Sequence, residues 1–173
     1  MDCTGAGKAG FEAVYEEYYD RIYKYAYTLL LNREEAEDVT ADTFLAAWEN
    51  FGSYDASRAS VRTWLARIVH NRAVDLMRSA ERGRTVCQEP ADVPSAGDFT
   101  IGVDDSQTVM WLFSRLKPEE REILNMRYVM DLCDSEIALM LGLEKKTVNK
   151  RMQRLLAKCR DILNGKPCLR SGM

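Results

Sequence analysis

Apolar residues at Phe11, Val14, Tyr15, Tyr18, Ile22, Tyr25, Ala26, Leu29 and Leu30 recur at helical spacing and predict a first helix over 11–31. Its tyrosines read as core residues whose hydroxyls reach solvent. Asn32 fits a helix stop or the next helix's N-cap, and Glu34, Glu35, Glu37 and Asp38 crowd the start of a second helix, at the positive end of its dipole. Ala36, Val39, Thr43, Phe44, Ala47 and Trp48 form that helix's apolar face. A Gly-, Ser- and Asp-rich loop follows to Ser60. Then comes a long helix over 61–84, with Val61, Trp64, Leu65, Ile68, Val69, Leu76 and Met77 inward and Arg67, Asn71, Asp75, Arg78 and Arg82 outward.

Periodicity stops over 85–106, where two of the four prolines lie, and this segment reads as a flexible, acidic linker. Helices resume near Gln107 with Met110, Phe113 and Leu116. Pro118 opens another helix at its first turn, with Ile123, Leu124 and Tyr128 on its core side. Ile137, Ala138 and Leu141, then Gly142, then Val148, Met152, Leu155, Cys159 and Ile162 spell helix, tight turn, helix. The expected fold is all-α: two small helical domains, 8–84 and 107–165, joined by the flexible linker 85–106, with a helix-turn-helix in the second.

Charge changes the picture more than composition does. Hydrophobic content of 46 % supports packed cores, yet the net charge of −3 argues against a nucleic-acid binder until it is divided along the chain. Residues 1–57 carry a net −8, 58–84 a net +5, 85–106 a net −5 and 107–173 a net +5. Acidic and basic blocks alternate, which implies two kinds of partner surface. A helix with Arg and Asn on its outer face suits a polyanion, because phosphate attracts Arg and base edges pair with amides.

Five scattered cysteines (Cys3, Cys87, Cys133, Cys159, Cys168), without a CxxC and with a single histidine, speak against zinc or a disulfide framework, so reduced thiols are expected. No apolar run approaches the roughly 20 residues of a membrane span, and the N-terminus lacks a signal-peptide core. A cytoplasmic protein without membrane insertion is expected.

Three stretches resemble the sigma-70 family of bacterial RNA polymerase sigma factors, of the compact extracytoplasmic-function type. AEDVTADTFLAAW (Ala36 to Trp48) is similar to the family's polymerase-binding segment, WLARIVHNRAVDLMR (Trp64 to Arg78) to its −10-reading helix, and EIALMLGLEKKTVNKRMQR (Glu136 to Arg154) to its −35-reading helix-turn-helix. The resemblance implies region 2 over 8–84 for polymerase binding, −10 recognition and melting, and region 4 over 107–165 for −35 recognition. It implies core polymerase contacts at Glu37, Asp38, Asp42, Phe44 and Trp48. It implies −10 contacts at Arg58, Arg62, Trp64, Arg67, Asn71 and Arg78, with the Ser53–Ser60 loop walling a pocket for a flipped base. It implies −35 contacts at Lys145, Lys146, Thr147, Asn149, Lys150, Arg151 and Arg154. Core RNA polymerase, promoter DNA and an anti-sigma protein are the partners it implies.

The chain departs from the pattern at Thr40, where glutamine is usual, and at Glu144-Lys145-Lys146, a weak and basic start to the −35 helix. Leu155 and Leu156 stand where an Ala-Arg pair is usual. Such a protein needs no cofactor, metal or catalytic group: holding an unstacked base in a pocket offsets a few kcal/mol of unpairing. Two promoter-reading domains held apart by a tether gain from effective concentration once both sit on polymerase.

A stand-alone helix-turn-helix regulator is the alternative reading, but it leaves the acidic helix and Trp64–Arg78 without a role. An enzyme would have to use Glu34, Glu35, Glu37, Asp38 and Asp42 as metal ligands or His70 as a base. With no nucleophile partner and no phosphate loop that is poor material, and His70 reads as a solvated helix residue.

Overall fold

The structure is a computed structural model that describes residues 4–83 and 103–165, with side chains over 10–80 and 108–165. Seven α-helices account for it: α1 (Thr4–Leu30), α2 (Arg33–Asn50), α3 (Val61–Gly83), α4 (Val103–Ser114), α5 (Pro118–Leu124), α6 (Asp134–Leu141) and α7 (Lys145–Asn164). The linker reading over 85–106 falls mostly outside the described residues, although α4 begins at Val103, ahead of the expected restart near Gln107.

The first three helices pack around Ile22, Tyr25 and Leu29 of α1, Ala36, Val39 and Ala47 of α2, and Leu65, Val69 and Ala73 of α3. Leu31 ends α1 with φ +58, a left-handed conformation that costs a non-glycine residue roughly 1–2 kcal/mol. The sharp reversal it makes leads directly into Asn32. The Asn32 side chain accepts the backbone N–H of Glu35 at 3.3 Å, so the N-cap reading of Asn32 is borne out. Thr40 and Thr43 are buried in α2 because each hydroxyl donates to the carbonyl four residues back, Ala36 and Val39, at 2.6 Å. Thr40 therefore belongs to the core, and its departure from the family pattern does not sit on an exposed face.

Tyr25 corrects the reading of the tyrosines. It is fully buried, and burial pushes its hydroxyl well above the usual range, so it stays protonated.

In the second domain, Phe113, Leu116, Ile123, Leu124, Met152, Leu155 and Cys159 make a small core. Asn125–Val129 continues α5 as a π-turn. The wider turn takes in an extra residue and shifts the phase of everything after it. Asn125 and Met126 face inward, and Tyr128 turns out to 63 % exposure, against its expected place in the core. Gly142 adopts φ +64 and closes α6, with its own N–H and that of Leu143 both bonded to Ala138 O. The left-handed position is the one glycine takes without strain, which is why the turn reads so clearly in sequence.

The two domains are not held apart. Met126, Met130, Leu132 and Ile137, all but fully buried, join the same apolar cluster as Tyr25, Leu29 and Val69. Helix periodicity marked Ile137 as inward-facing but not Met126, Met130 or Leu132, and it carried no information about which core any of them would enter.

Candidate nucleic-acid and protein interfaces

The acidic face is built by α2 against α1. Asp38 and Asp42 are exposed, one turn apart, without an ion pair among the described residues. Glu37 accepts the Arg33 guanidinium at 2.9 Å. Phe44 is only 5 % exposed and packs Tyr15 at 4.7 Å and Tyr19 at 6.0 Å between ring centres, so it supports this surface from beneath. Trp48 is 45 % exposed and leans on Phe11. Sequence reasoning missed Tyr15, Tyr19 and Leu45, which complete an apolar patch beside the two free aspartates. Tyr15 and Tyr19 lie one helical turn apart, a spacing equally suited to a core stripe. Only α2's position next to them leaves their rings in solvent. Contiguous exposed apolar surface rimmed by charge is a mark of a protein-binding face.

A second feature is an open cleft of about 370 Å³, lined by Ala46 and Asn50 of α2, Ser53, and Trp64, Ile68, Asn71, Arg72 and Asp75 of α3. Ser53 belongs to the 3₁₀ turn Phe51–Ser53 that follows α2. Trp64 is positioned by rings on that side: Tyr54 at 5.0 Å and Phe51 at 6.3 Å. Tyr54 is in turn held by its hydroxyl donating to Ala59 O at 2.9 Å. The cleft thus has an aromatic and aliphatic wall and an edge of amides, a guanidinium and a carboxylate, the equipment needed to stack a planar base and read its edge. Asn71 and Trp64 are brought together here, although the helical pattern set Trp64 inward and Asn71 on the outward stripe. Asn50, Arg72 and Asp75 join them; of these, only Asp75 stood out in sequence, as part of the polar stripe.

The remaining residues of the expected −10 set are distributed differently. Arg58, Arg67 and Arg78 are exposed and outside the lining of this cleft. Arg62 is turned toward the second domain, 3.6 Å from Asp131. His70 corrects the solvated reading: its side chain is 13 % exposed and its Nδ1 lies 2.9 Å from Glu122 Oε1.

The third surface is α7. Lys145, Lys146, Asn149, Lys150, Arg151 and Arg154 are all exposed while Val148, Met152, Leu155 and Cys159 are buried, so one face is basic and the other anchors the helix. Glu144 is the N-cap without a side-chain bond, in accord with the weak cap expected there. Thr147 is half-buried, and Asn149 Nδ2 reaches Asp134 Oδ2 of α6 at 3.5 Å. Arg151 and Arg154 border a shallow cleft of about 360 Å³ between α7 and α5. There Lys158 donates to both Glu120 oxygens at 2.6 and 2.7 Å. Burial alone would raise the Glu120 carboxyl, but Lys158 and the Lys117 backbone N–H hold it below its usual range. Cys133 and Cys159 are free thiols, and burial pushes the Cys159 thiol up. Among the described residues no group of three or more His, Cys, Asp or Glu could hold a metal ion, and no helix is long and apolar enough to cross a membrane.

Comparison with known proteins gives these three surfaces a common setting. Residues 14–83 match Sigma-70 region 2, and residues 107–159 match Sigma-70, region 4. The chain is similar to the ECF RNA polymerase sigma factor SigK of Mycobacterium bovis (strain BCG / Pasteur 1173P2), with 26 % identity covering 93 % of this chain and 89 % of SigK. It is also similar to SigK of Mycolicibacterium vanbaalenii, with 28 % identity over 88 % of this chain and 82 % of that one. Two solved structures share the fold. One is the sigma factor RpoE with the anti-sigma factor NepR from Bartonella quintana (TM-score 0.74, 20 % identity, 91 % of this chain and 98 % of that chain). The other is CnrH with the cytosolic domain of CnrY (TM-score 0.68, 24 % identity, 92 % and 90 %). The chain belongs to the sigma-70 family of RNA polymerase sigma factors, of the extracytoplasmic-function type, and directs transcription initiation.

Proposed function

We propose that the three surfaces divide the work of initiation. The Asp38–Asp42 face with its aromatic patch docks on core RNA polymerase, the Trp64–Asn71 cleft takes a base extruded from the non-template strand, and the basic face of α7 enters the −35 major groove. Residues 8–84 and 107–165 are the units that carry these roles. The observation that carries the reading is the cleft: an aromatic wall and the exposed Asn71 amide converge in a space large enough for a base, on the helix that also bears exposed arginines. The protein works by binding alone, in the cytoplasm. A partner of the anti-sigma class would regulate it; the similar RpoE of Bartonella quintana is found in complex with the anti-sigma factor NepR.

Asn71→Ala tests the cleft. The fold and polymerase binding should persist, while open-complex formation falls by about 1–3 kcal/mol, the scale of one base-edge contact. A pre-melted bubble should restore part of the transcription. Melting temperature measured beside permanganate reactivity of promoter thymines separates the outcomes. A stable variant that opens promoters normally removes Asn71 from the site; joint loss of stability and opening makes it a structural residue.

A further inference from the structure

We propose that Asp75 and Arg72 decide which base the α2–α3 cleft accepts, favouring cytosine and excluding thymine. The inference deepens the reading of the cleft as the seat of an extruded base and rests on it.

The cleft offers a ligand an uneven set of polar groups. On the α2 side, Asn50 Nδ2 donates to Ala46 O and the Ser53 hydroxyl donates to Asn50 O, both at 2.8 Å. Ser53 has then spent its one proton and Asn50 one amide proton, so that rim presents chiefly two oxygens, Asn50 Oδ1 and Ser53 Oγ. On the α3 side, Asn71, Arg72 and Asp75 are exposed and line the cleft. Neither Arg72 nor Asp75 forms a salt bridge among the described residues. The two stand three positions apart on one helix, where side chains are neighbours with Cβ atoms about 5–6 Å apart. A carboxylate and a guanidinium therefore meet the same edge of one base.

The two charges ask opposite things of that edge. A carboxylate only accepts and needs an N–H; a guanidinium only donates and needs an oxygen or a ring nitrogen. Cytosine sets its 4-amine beside two acceptors, N3 and O2, and satisfies both groups. Asp is also the natural acceptor for that amine, as it is in an intact groove. Thymine carries O4 where cytosine has the amine, and its single N–H lies between two carbonyls. In a cleft that already presents Asp75, Asn50 Oδ1 and Ser53 Oγ, O4 meets oxygens with no proton to share, which costs binding rather than merely failing to add to it. Adenine supplies an amine and N1 but has a C–H where cytosine has O2. Guanine supplies two adjacent donors and one acceptor, the reverse of the balance the cleft asks for. Cytosine ranks first and thymine last. Trp64 and Ile68 form an apolar wall against which any base stacks, so the ranking comes from the polar edge.

The test uses the full chain bound to core polymerase and a pool of single-stranded DNA with a randomised stretch, captured and sequenced. Wild type should show a position where cytosine is enriched over thymine by roughly 5- to 100-fold, the range of one good base-edge pair. Asp75→Asn supplies an amide that donates to O4, so thymine should enter at that position alone. Asp75→Glu keeps the acceptor and should keep the exclusion. Captured strands resynthesised with uracil in place of that cytosine separate the base edge from the thymine methyl: wild type should bind them weakly, and Asp75→Asn should recover most of the loss. An Asp75→Asn base spectrum identical to wild type, or one altered at every position, overturns the inference. Asp75 is exposed and lies outside both cores, so the variants should melt as wild type does. A variant that melts early and loses all sequences alike makes Asp75 a structural residue and overturns it too. Asn71→Ala tests the reading beneath. If it leaves capture and every base preference unchanged, the cleft takes no base; if it weakens capture while Asp75→Asn changes nothing, only the role given to Asp75 and Arg72 falls.

Discussion

Helices α3 and α7 look alike in sequence: both are long and amphipathic, with Arg or Lys along the outer face. Their surroundings make them different instruments. α3 lies beside α2 and the Phe51–Ser53 turn, so part of its polar face looks into a concave cleft with Trp64 at its wall. α7 rests on α5 and α6 through Val148, Met152 and Leu155 and turns a convex, basic face to solvent. A concave site suits a single extruded base, whereas a convex helix suits an intact groove. Charge alone does not tell these two uses apart; the neighbours of the helix do.

The largest effects should come from removing what anchors each helix. Leu65→Ala and Leu155→Ala each empty a buried leucine site and should cost about 2–5 kcal/mol by chemical denaturation. If the two helices serve different steps, Leu65→Ala impairs opening while Leu155→Ala impairs duplex binding, at temperatures where both variants remain folded. Next, Arg151→Ala and Arg154→Ala should weaken binding to a −35 duplex and lower the salt slope by about one each where the lost contact is to phosphate. Arg67→Ala, on the same duplex, should leave that slope unchanged. Equal slopes for Arg67→Ala and Arg151→Ala would erase the distinction drawn between the helices.

A smaller effect isolates the turn that aims α7. Gly142 has φ +64 and open space where a Cβ would sit, so Gly142→Ala meets no clash and pays only for backbone conformation, about 1–2 kcal/mol. A melting temperature equal to wild type would show that the α6–α7 turn tolerates another conformation. The smallest effect is electrostatic. Glu120 titrates below its ordinary value because Lys158 and the Lys117 N–H outweigh burial. Its contribution is complete above the usual carboxylate range, about 4.3, and fades as pH falls through the lowered folded value. Glu120→Gln should cost less than about 1 kcal/mol at neutral pH, since the pair is partly exposed, and the gap should narrow in acid. A gap that widens on acidification contradicts that sign.

Much of this was legible in the chain because its signals are local. Helical spacing places Ile22, Leu65, Val148 and Met152 inward whatever they pack against, Asn32 caps because of its own side chain, and Gly142 turns because it lacks one. The three family stretches are likewise runs of contiguous residues. Most of the failures share a cause as well: they depended on a residue far away in sequence. Thr28 meets Asn125 across 97 positions, Thr63 meets Glu136 across 73, and His70 is covered by Glu122 from another helix. Tyr128 faces solvent because a π-turn shifts the helix phase. Period set the helices and, Tyr128 apart, their inner faces; the choice of which inner faces share a core, and so whether α3 and α7 stand apart or together, rested on tertiary packing between surfaces that no local pattern relates.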